Sequence, residues 1–207
     1  MREVNYQKIV EKRILSLKDG EIFFLEYFIE VVPDRNTIRV ILYRLVEKGL
    51  IKRLAQGIFT KPKFSQLLNR SIIPDADQIA HAIARRDKAR IIYAGNMALN
   101  ILGLTTQVPM KVAYYTDGYP RKITLYDSRE VIFKVGSPKL FSYKHESIQL
   151  VVIGLKQIGK RRLEDFENNR IQFSLRAIDP VMYAEDRALI PDWIDKILLP
   201  MISEEDR

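Results

Sequence analysis

The chain has 207 residues, 47% of them hydrophobic, and contains no cysteine. This content suffices for a sizeable core in one or two domains, and the lack of cysteine excludes disulfide scaffolds and thiolate metal sites. The 34 basic and 26 acidic side chains leave a formal net charge of +8, which favours an acidic partner such as nucleic acid.

Membrane association is not expected from this sequence. Residues 1–15 are charged throughout and lack the apolar core of a signal peptide. No segment approaches the roughly 20 uninterrupted apolar residues that are needed to span a bilayer. We therefore expect a soluble protein of the cytoplasm that has no membrane partner.

Two helices and a short strand are predicted at the start of the chain. Apolar residues recur at helical spacing over residues 5–17, and Gly20 follows as a helix breaker. Residues 21–24 are predicted as a short strand, and residues 24–29 as a second helix that ends before Pro33. A proline restricts the residue before it to extended conformations, so the second helix should stop there.

The stretch that begins at Asp34 carries the strongest functional pattern. One apolar stripe of an amphipathic helix consists of Ile38, Ile41, Leu42, Leu45 and Val46. Asp34 is placed to cap this helix, and Gly49 to end it in a left-handed conformation. Two strands follow over residues 50–54 and 58–61, joined by a turn at residues 55–57. A basic helix followed by a basic hairpin is typical of winged helix-turn-helix domains, which place a helix in the major groove of DNA.

The charge distribution supports this interpretation. Residues 31–63 hold eight basic and two acidic side chains, whereas residues 64–207 carry a net charge of only +3. Because Lys and Arg neutralise phosphates, a local net charge of +6 favours DNA binding. The alternative is an ordinary helix with a solvated basic face.

Side chains outside the apolar stripe should face away from the core. Asn36 and Arg39 are expected to read adenine and guanine edges, and Val40 to contact a thymine methyl group. Phosphate contacts are expected from Arg35, Thr37 and Arg44. The full set of predicted DNA contacts is Arg35, Asn36, Thr37, Arg39, Val40, Tyr43 and Arg44 on the helix, with Lys52, Arg53, Gln56, Lys61 and Lys63 on the hairpin.

A sheet and several helices are predicted for the rest of the chain. Asp75 and Gln78 have the spacing of a capping box and predict a helix that runs to about Arg86. Residues 91–93 are predicted as a strand, and Asn96 as the cap of a short helix. Alternating patterns predict strands over residues 111–116, 121–126 and 130–135. Further helices are predicted over residues 147–159, 163–169 and 180–199, the last interrupted at Pro191.

These elements predict an α+β fold. Its N-terminal part, residues 1–63, is interpreted as a winged helix-turn-helix DNA-binding domain. Residues 64–74 are interpreted as a connector. Residues 75–207 are predicted to form a C-terminal α+β domain with a small antiparallel sheet and packed helices.

The signals for an enzyme are weak. Residues 154–160 match the spacing of a phosphate-binding loop, but Arg161 stands where Ser or Thr should hold magnesium. The ordinary interpretation is a positively charged helix end at residues 160–162. His81 and His145 are the only histidines, and neither lies in a sequence cluster of metal ligands. We therefore expect no catalysis, no metal site and no cofactor.

A polar segment in the second domain has two interpretations. Its amides and hydroxyls either form caps and turns or belong to a binding surface for a partner or ligand. The candidate partner-binding residues are Asn96, Asn100, Thr105, Thr106 and Gln107. The sequence leaves both interpretations open.

Several stretches carry a family resemblance along most of the chain. They are residues 44–63, 79–84, 98–109 and 115–118, with Phe133-Lys134, Pro138-Lys139 and residues 191–194. In these stretches the chain resembles the AbiEi-like antitoxins of type IV toxin–antitoxin systems, and especially their allied uncharacterised bacterial domain family. The resemblance implies a bacterial or archaeal transcriptional repressor that binds its own promoter through the N-terminal domain.

The resemblance also implies a role for the second domain, which would be antitoxin-like. That domain would counteract a toxin, typically a nucleotidyltransferase encoded beside it. The implied DNA-binding role carries over to the hairpin cations and to Arg35, Asn36, Arg39, Tyr43 and Arg44. Two alternatives are a protein-interaction module that docks a partner without specific DNA binding, and an enzyme that acts on nucleic acid or nucleotides.

Overall fold

The computed structural model describes residues 5–67, 69–107 and 111–203, and it has a mixed α+β fold with small antiparallel sheets. The α+β prediction is therefore confirmed. The chain divides into two compact units. The N-terminal unit runs up to Ile83 and includes Ile123–Glu130, and the C-terminal unit comprises Ala84–Lys122 and the chain from Val131 onward. Among the described helices, none is long and apolar enough to cross a membrane.

The N-terminal unit begins with two helices and a three-stranded sheet. Its first elements are α1 (Tyr6–Leu15), β1 (Ile22–Phe24), a 3-10 helix (Leu25–Phe28), α2 (Arg35–Glu47), β2 (Lys52–Ala55) and β3 (Ile58–Thr60). The predicted second helix is a 3-10 helix of four residues, which Ile29 ends by donating its N–H to the Glu26 carbonyl at 3.2 Å. Beyond it, Val32 donates its N–H to the Phe28 carbonyl at 2.9 Å.

Strand β3 is the centre of this sheet, with β1 and β2 antiparallel on either side. Phe23 pairs with Phe59 across β1 and β3, and their rings stack with centroids 5.8 Å apart. Gly57 has a φ of +71°, the left-handed conformation that the tight β2–β3 turn requires. The predicted hairpin is therefore present.

Helix α2 has the predicted ends and the predicted buried stripe. The Asp34 carboxylate accepts the Thr37 hydroxyl at 2.6 Å and the Thr37 N–H at 2.7 Å. The hydrogen bond from the Thr37 hydroxyl is the largest cause that lowers the pKa of Asp34, and the bond from the Thr37 N–H lowers it further. Gly49 ends the helix at a φ of +71°. The buried side chains are Ile38, Ile41, Leu42 and Leu45, whereas Val46 is half-buried.

The segment interpreted as a connector contains a two-stranded antiparallel ribbon. Its strands are β4 (Lys63–Ser65) and β5 (Arg70–Ile72). Each strand has three residues, which is too short for an alternating pattern to stand out in the sequence. Helix α3 (Ala76–Asp87) follows, and the predicted capping box is formed between Asp75 and Gln78, with bonds of 3.0 and 2.7 Å.

The C-terminal unit combines a four-stranded sheet with five helices within its described residues. The sheet has the order β6-β7-β9-β8 and consists of β6 (Ile91–Tyr93), β7 (Lys111–Thr116), β8 (Arg121–Thr124) and β9 (Glu130–Val135). The helices are α4 (Asn96–Ile101), α5 (Glu146–Ile158), α6 (Asp165–Leu175), α7 (Pro180–Arg187) and α8 (Asp192–Ser203). A 3-10 helix at Pro138–Ser142 links β9 to α5. All predicted strands and helices of this part are present, with shifted ends.

Three of these ends differ from the sequence prediction for physical reasons. Gly95 and not Asn96 is the N-cap of α4, because the chain enters the helix at a φ of +55° that favours glycine. Helix α6 extends beyond the predicted residue 169 to Leu175. The sequence did not predict this end, because the helix has apolar side chains on both its buried and its exposed side and therefore no clear apolar stripe. Val108 and Pro109, which close one of the resemblance stretches, lie outside the described residues.

A buried carboxylate fixes the start of α5. Asp186 of α7 is fully buried and accepts the backbone N–H groups of Lys144 and His145 at 2.8 and 2.9 Å. These groups would otherwise lack partners, because the first N–H groups of a helix have no carbonyl within the helix. Helices α5 and α7 are thereby joined through one side chain.

We expect Leu42→Ala to lower the free energy of unfolding of the N-terminal unit by about 2–5 kcal/mol, because Leu42 is fully buried and its loss leaves a cavity. Val40 lies two residues earlier on the exposed side of α2, so Val40→Ala is the matched control and should change stability by less than about 0.5 kcal/mol. Urea unfolding followed by circular dichroism measures both. Equal losses would contradict the placement of the two faces.

We expect Asp195→Asn to flatten the acid side of the stability–pH curve. Hydrogen bonds from Arg187 and Tyr183 lower the pKa of Asp195 below its usual 3.8. The ionised Asp195 therefore stabilises the folded state fully above its pKa in the unfolded chain. This contribution is lost as the pH falls through its lower pKa in the folded state. Unfolding by urea from about pH 7 to about pH 2 measures the slope. Asp192→Asn, at an exposed position of the same helix, should keep the wild-type slope.

Candidate functional site

The face of α2 opposite its buried stripe is exposed and basic. Its exposed side chains are Arg35, Asn36, Arg39, Val40, Tyr43 and Arg44, all of them predicted contacts, together with Glu47, the last residue of the helix. Val40 is 49% exposed and Tyr43 is 63% exposed, so both present apolar surface to solvent. No acidic residue occurs between Arg35 and Val46. The face therefore presents cations, an amide and two apolar groups without an intervening carboxylate.

Two side chains of this face are already paired with each other. Arg39 donates from Nη1 to Oδ1 of Asn36 at 3.0 Å, one helical turn away. Arg35 lies 4.0 Å from Glu26, a distance at which an exposed ion pair contributes little. Within the described residues, the side chains of Tyr43 and Arg44 have neither a hydrogen bond nor an ion pair. The centre of the face is therefore free to meet a ligand.

Thr37 lies at the edge of this face and has a structural role. Its hydroxyl donates to the Asp34 carboxylate at 2.6 Å as part of the helix cap. A phosphate contact by the same hydroxyl would have to replace this bond. Its backbone N–H is occupied by the same carboxylate at 2.7 Å.

The hairpin places three predicted residues on its surface. Arg53 is exposed, and its guanidinium lies 5.3 Å from the centre of the Tyr126 ring, within the same unit. Gln56 is exposed in the turn, next to Gly57. Lys52 is half-buried and, among the described residues, has no carboxylate partner. These side chains extend the polar surface beyond α2.

Lys61 differs from the other predicted DNA-contacting cations, because its ammonium binds groups of the protein itself. Its ammonium donates to the carbonyls of Leu15 and Leu17 at 3.0 and 2.8 Å and lies 3.1 Å from Asp19. Only 20% of the side chain is exposed. Lys61 thus ties the end of β3 to the end of α1, a contact that the sequence interpretation missed.

The β4–β5 ribbon adds a basic residue that the sequence interpretation did not single out. Lys63 pairs with Ile72 and Ser65 pairs with Arg70. Partners in an antiparallel pair share a face, and so do alternate residues along each strand, so Lys63 and Arg70 lie on the same side of the ribbon. Phe64, which is 59% exposed, lies on the other side. Only the strand register brings Arg70 to this side, and no sequence motif signals it.

The candidate partner-binding residues of the C-terminal unit mostly contact one another. Asn100 donates to the Gln107 carbonyl at 3.2 Å, and the Gln107 N–H donates to the Thr105 hydroxyl at 3.2 Å. Asn96 accepts a long bond of 3.4 Å from Gln157 of α5. Thr106 is exposed. Contacts of this kind are those expected of caps and turns.

The stretch with the spacing of a phosphate-binding loop is helical as far as Ile158, where α5 ends. Residues 160–162 were predicted to be a positively charged helix end, and this prediction is wrong. Arg161 lies beyond the helix and binds Glu167 of α6 at 2.5 and 2.8 Å. Hydrogen bonds from Arg161 lower the pKa of Glu167. This cation is therefore committed to a structural pair.

The two histidines lie apart from any cluster of metal ligands in the described structure. His81 is half-buried and lies 3.0 Å from the Asp77 carbonyl, and His145 lies 2.9 Å from Glu185. Among the residues that the structure covers, no group of three or more His, Asp or Glu side chains is arranged to hold a metal ion.

Residues 8–181 match a family that is described as a family of unknown function, DUF6088. No curated protein matches the chain. The matched residues include α2, the β2–β3 hairpin and the four-stranded sheet, so both units contribute to the match. The chain therefore belongs to the DUF6088 family.

Proposed function

We propose that the N-terminal unit contains a winged helix-turn-helix that binds double-stranded DNA, with α2 as the recognition helix and the β2–β3 hairpin as the wing. The exposed face of α2 carries this proposal. It bears Arg35, Arg39 and Arg44, and the one carboxylate of the helix, Glu47, is its last residue. A helix with one buried and one basic face can enter the major groove without disturbing its own core.

Phosphate contacts supply most of the binding energy in this proposal. Residues 31–63 carry a net charge of +6, and Arg44 and Lys52 have no carboxylate partner in the described structure. Each neutralised phosphate releases counterions, so affinity should fall steeply with salt. Lys63 and Arg70, on one side of the ribbon, extend the same interaction. Lys61 contributes only weakly to the attraction of phosphates, because its charge is largely balanced by Asp19.

Sequence readout is assigned to the middle of α2. Arg39 donates a hydrogen bond to Asn36 at 3.0 Å, so the two side chains lie next to each other on the helix surface. Arg reads guanine and Asn reads adenine through paired hydrogen bonds, and the pair would exchange its mutual bond for bonds to bases. Val40 and Tyr43 supply exposed apolar surface beside them, which suits a thymine methyl group.

We further propose that the chain is a cytoplasmic transcriptional repressor of the antitoxin type, without catalytic activity of its own. The support is the AbiEi-like resemblance, whose stretches lie in both units. In this proposal the N-terminal unit represses the chain's own promoter, and the C-terminal unit counteracts a nucleotidyltransferase-type toxin.

The test is a DNA-binding titration against the chain's own upstream region and a scrambled fragment, at two salt concentrations. We expect tighter binding to the upstream fragment and a steep loss of affinity with salt, because several phosphates are neutralised together. Equal affinity for both fragments would remove the repressor proposal. Absent binding would make the α2 face a protein-docking surface, and a pull-down of the neighbouring gene product would then test that role.

Two substitutions separate readout from phosphate contact. Arg39→Ala should reduce discrimination between target and random DNA by about 1–3 kcal/mol, because a base contact is lost. Lys52→Ala should weaken binding to all sequences alike and reduce the salt slope by about 1. Lys160→Ala, an exposed cation of the C-terminal unit, is the control and should leave both quantities unchanged. If all three variants bind like wild type, the proposed interface is wrong.

A further inference from the structure

A cavity of about 270 Å³ lies within the C-terminal unit, between the sheet and α5. Tyr115 of β7 lines it, together with Gly95 and Ser137 from the segments that follow β6 and β9. Lys156 and Gln157 of α5 supply the opposite wall. The cavity and the α2 face belong to different units.

Two glycines keep this cavity open. Gly95 has a φ of +55° and a ψ of −128°, a conformation that side chains disfavour, and an added Cβ would lie 3.4 Å from Oε1 of Gln157. At Gly136, next to Ser137, an added Cβ would lie 2.5 Å from the Phe141 ring and 3.1 Å from Cβ of Tyr115. A side chain at either position would therefore push on a wall of the cavity.

One cation lines the cavity, and a second lies between two of its lining residues in the chain. Lys156 of α5 is a lining residue, and Lys139 stands between the lining residues Ser137 and Leu140. Within the described residues, neither ammonium has a hydrogen bond or an ion pair. Burial lowers the pKa of Lys156, and the charge of Lys139 lowers it further. An anion bound at Lys156 would stabilise its charged form.

The remaining lining combines hydrogen-bonding groups with an apolar floor. The hydroxyls of Ser137 and Tyr115 make no side-chain hydrogen bond to described residues, and Gln157 donates only a long bond of 3.4 Å, to Asn96. Ile153 is buried and Leu140 half-buried, and both line the cavity. The lining thus offers hydrogen-bonding groups beside a small apolar surface.

We propose that this cavity binds a small organic phosphate, with the phosphate between Lys156 and Lys139 and its organic part against Ile153 and Leu140. The two ammonium groups would neutralise a phosphate monoester, and the hydroxyls of Ser137 and Tyr115 can donate to its oxygens. A volume of about 270 Å³ suits a ligand of mononucleotide size or smaller. A bound phosphate would also stabilise the C-terminal unit, because it binds only the folded state.

The test is an NMR titration of glycine-labelled protein, which has nine glycines to observe. Inorganic phosphate and adenosine 5′-monophosphate are the two probes, each compared with chloride at equal ionic strength and pH. We expect saturable shifts of the Gly95 and Gly136 amides, with adenosine monophosphate binding at least tenfold more tightly than inorganic phosphate. Lys156→Gln should weaken both at least tenfold, and Lys160→Gln, just beyond α5, should change neither.

Three results would overturn the proposal. Shifts confined to Gly49 and Gly57 would show that phosphate binds the basic face of the N-terminal unit and not the cavity. Unchanged affinity in Lys156→Gln would remove the lysine from the site. Equal affinity for inorganic phosphate and the nucleotide would show that only an adventitious ion binds. The DNA titration is independent of this experiment, so either proposal can fail while the other stands.

Discussion

The burial of one face of α2 decides where the charges of the N-terminal unit lie. Ile38 and Leu42 are fully buried, which fixes the rotation of the helix about its axis. Because successive side chains are about 100° apart, Arg39 and Tyr43 must then face solvent. Turning the helix the other way would bury an unpaired cation, which costs far more than the core would gain. The position of the exposed basic face therefore follows from the packing of the core behind it.

The parts of the fold that the sequence predicts well are those whose decisive groups lie close together along the chain. Asp34 and Thr37 form the cap of α2 three residues apart, and Asp75 and Gln78 repeat that spacing at α3. Gly57 sets the hairpin turn by itself. Such local signals need no knowledge of tertiary structure, so the helix ends, the hairpin and most of the strands follow from the sequence.

Other features depend on contacts between distant residues, which a single sequence does not show. Lys61 belongs to a basic stretch in the sequence, yet its ammonium binds carbonyls that are 44 and 46 residues away. The cavity joins Gly95 to Lys156 and to Ser137 across three strands and a helix. The role of Lys61 and the existence of the cavity are thus decided by tertiary structure, whereas the exposure of Arg39 is decided by helical periodicity.

The ribbon formed by β4 and β5 has a consequence for measurements on this protein. A two-stranded sheet of three-residue strands is only marginally stable by itself, and Leu67 at its turn is 94% exposed. Its amide hydrogens should therefore exchange with deuterium faster than those of β3, which has a neighbour on both sides. Slower exchange in the ribbon would then report any molecule that covers this end of the N-terminal unit, without a label or a substitution.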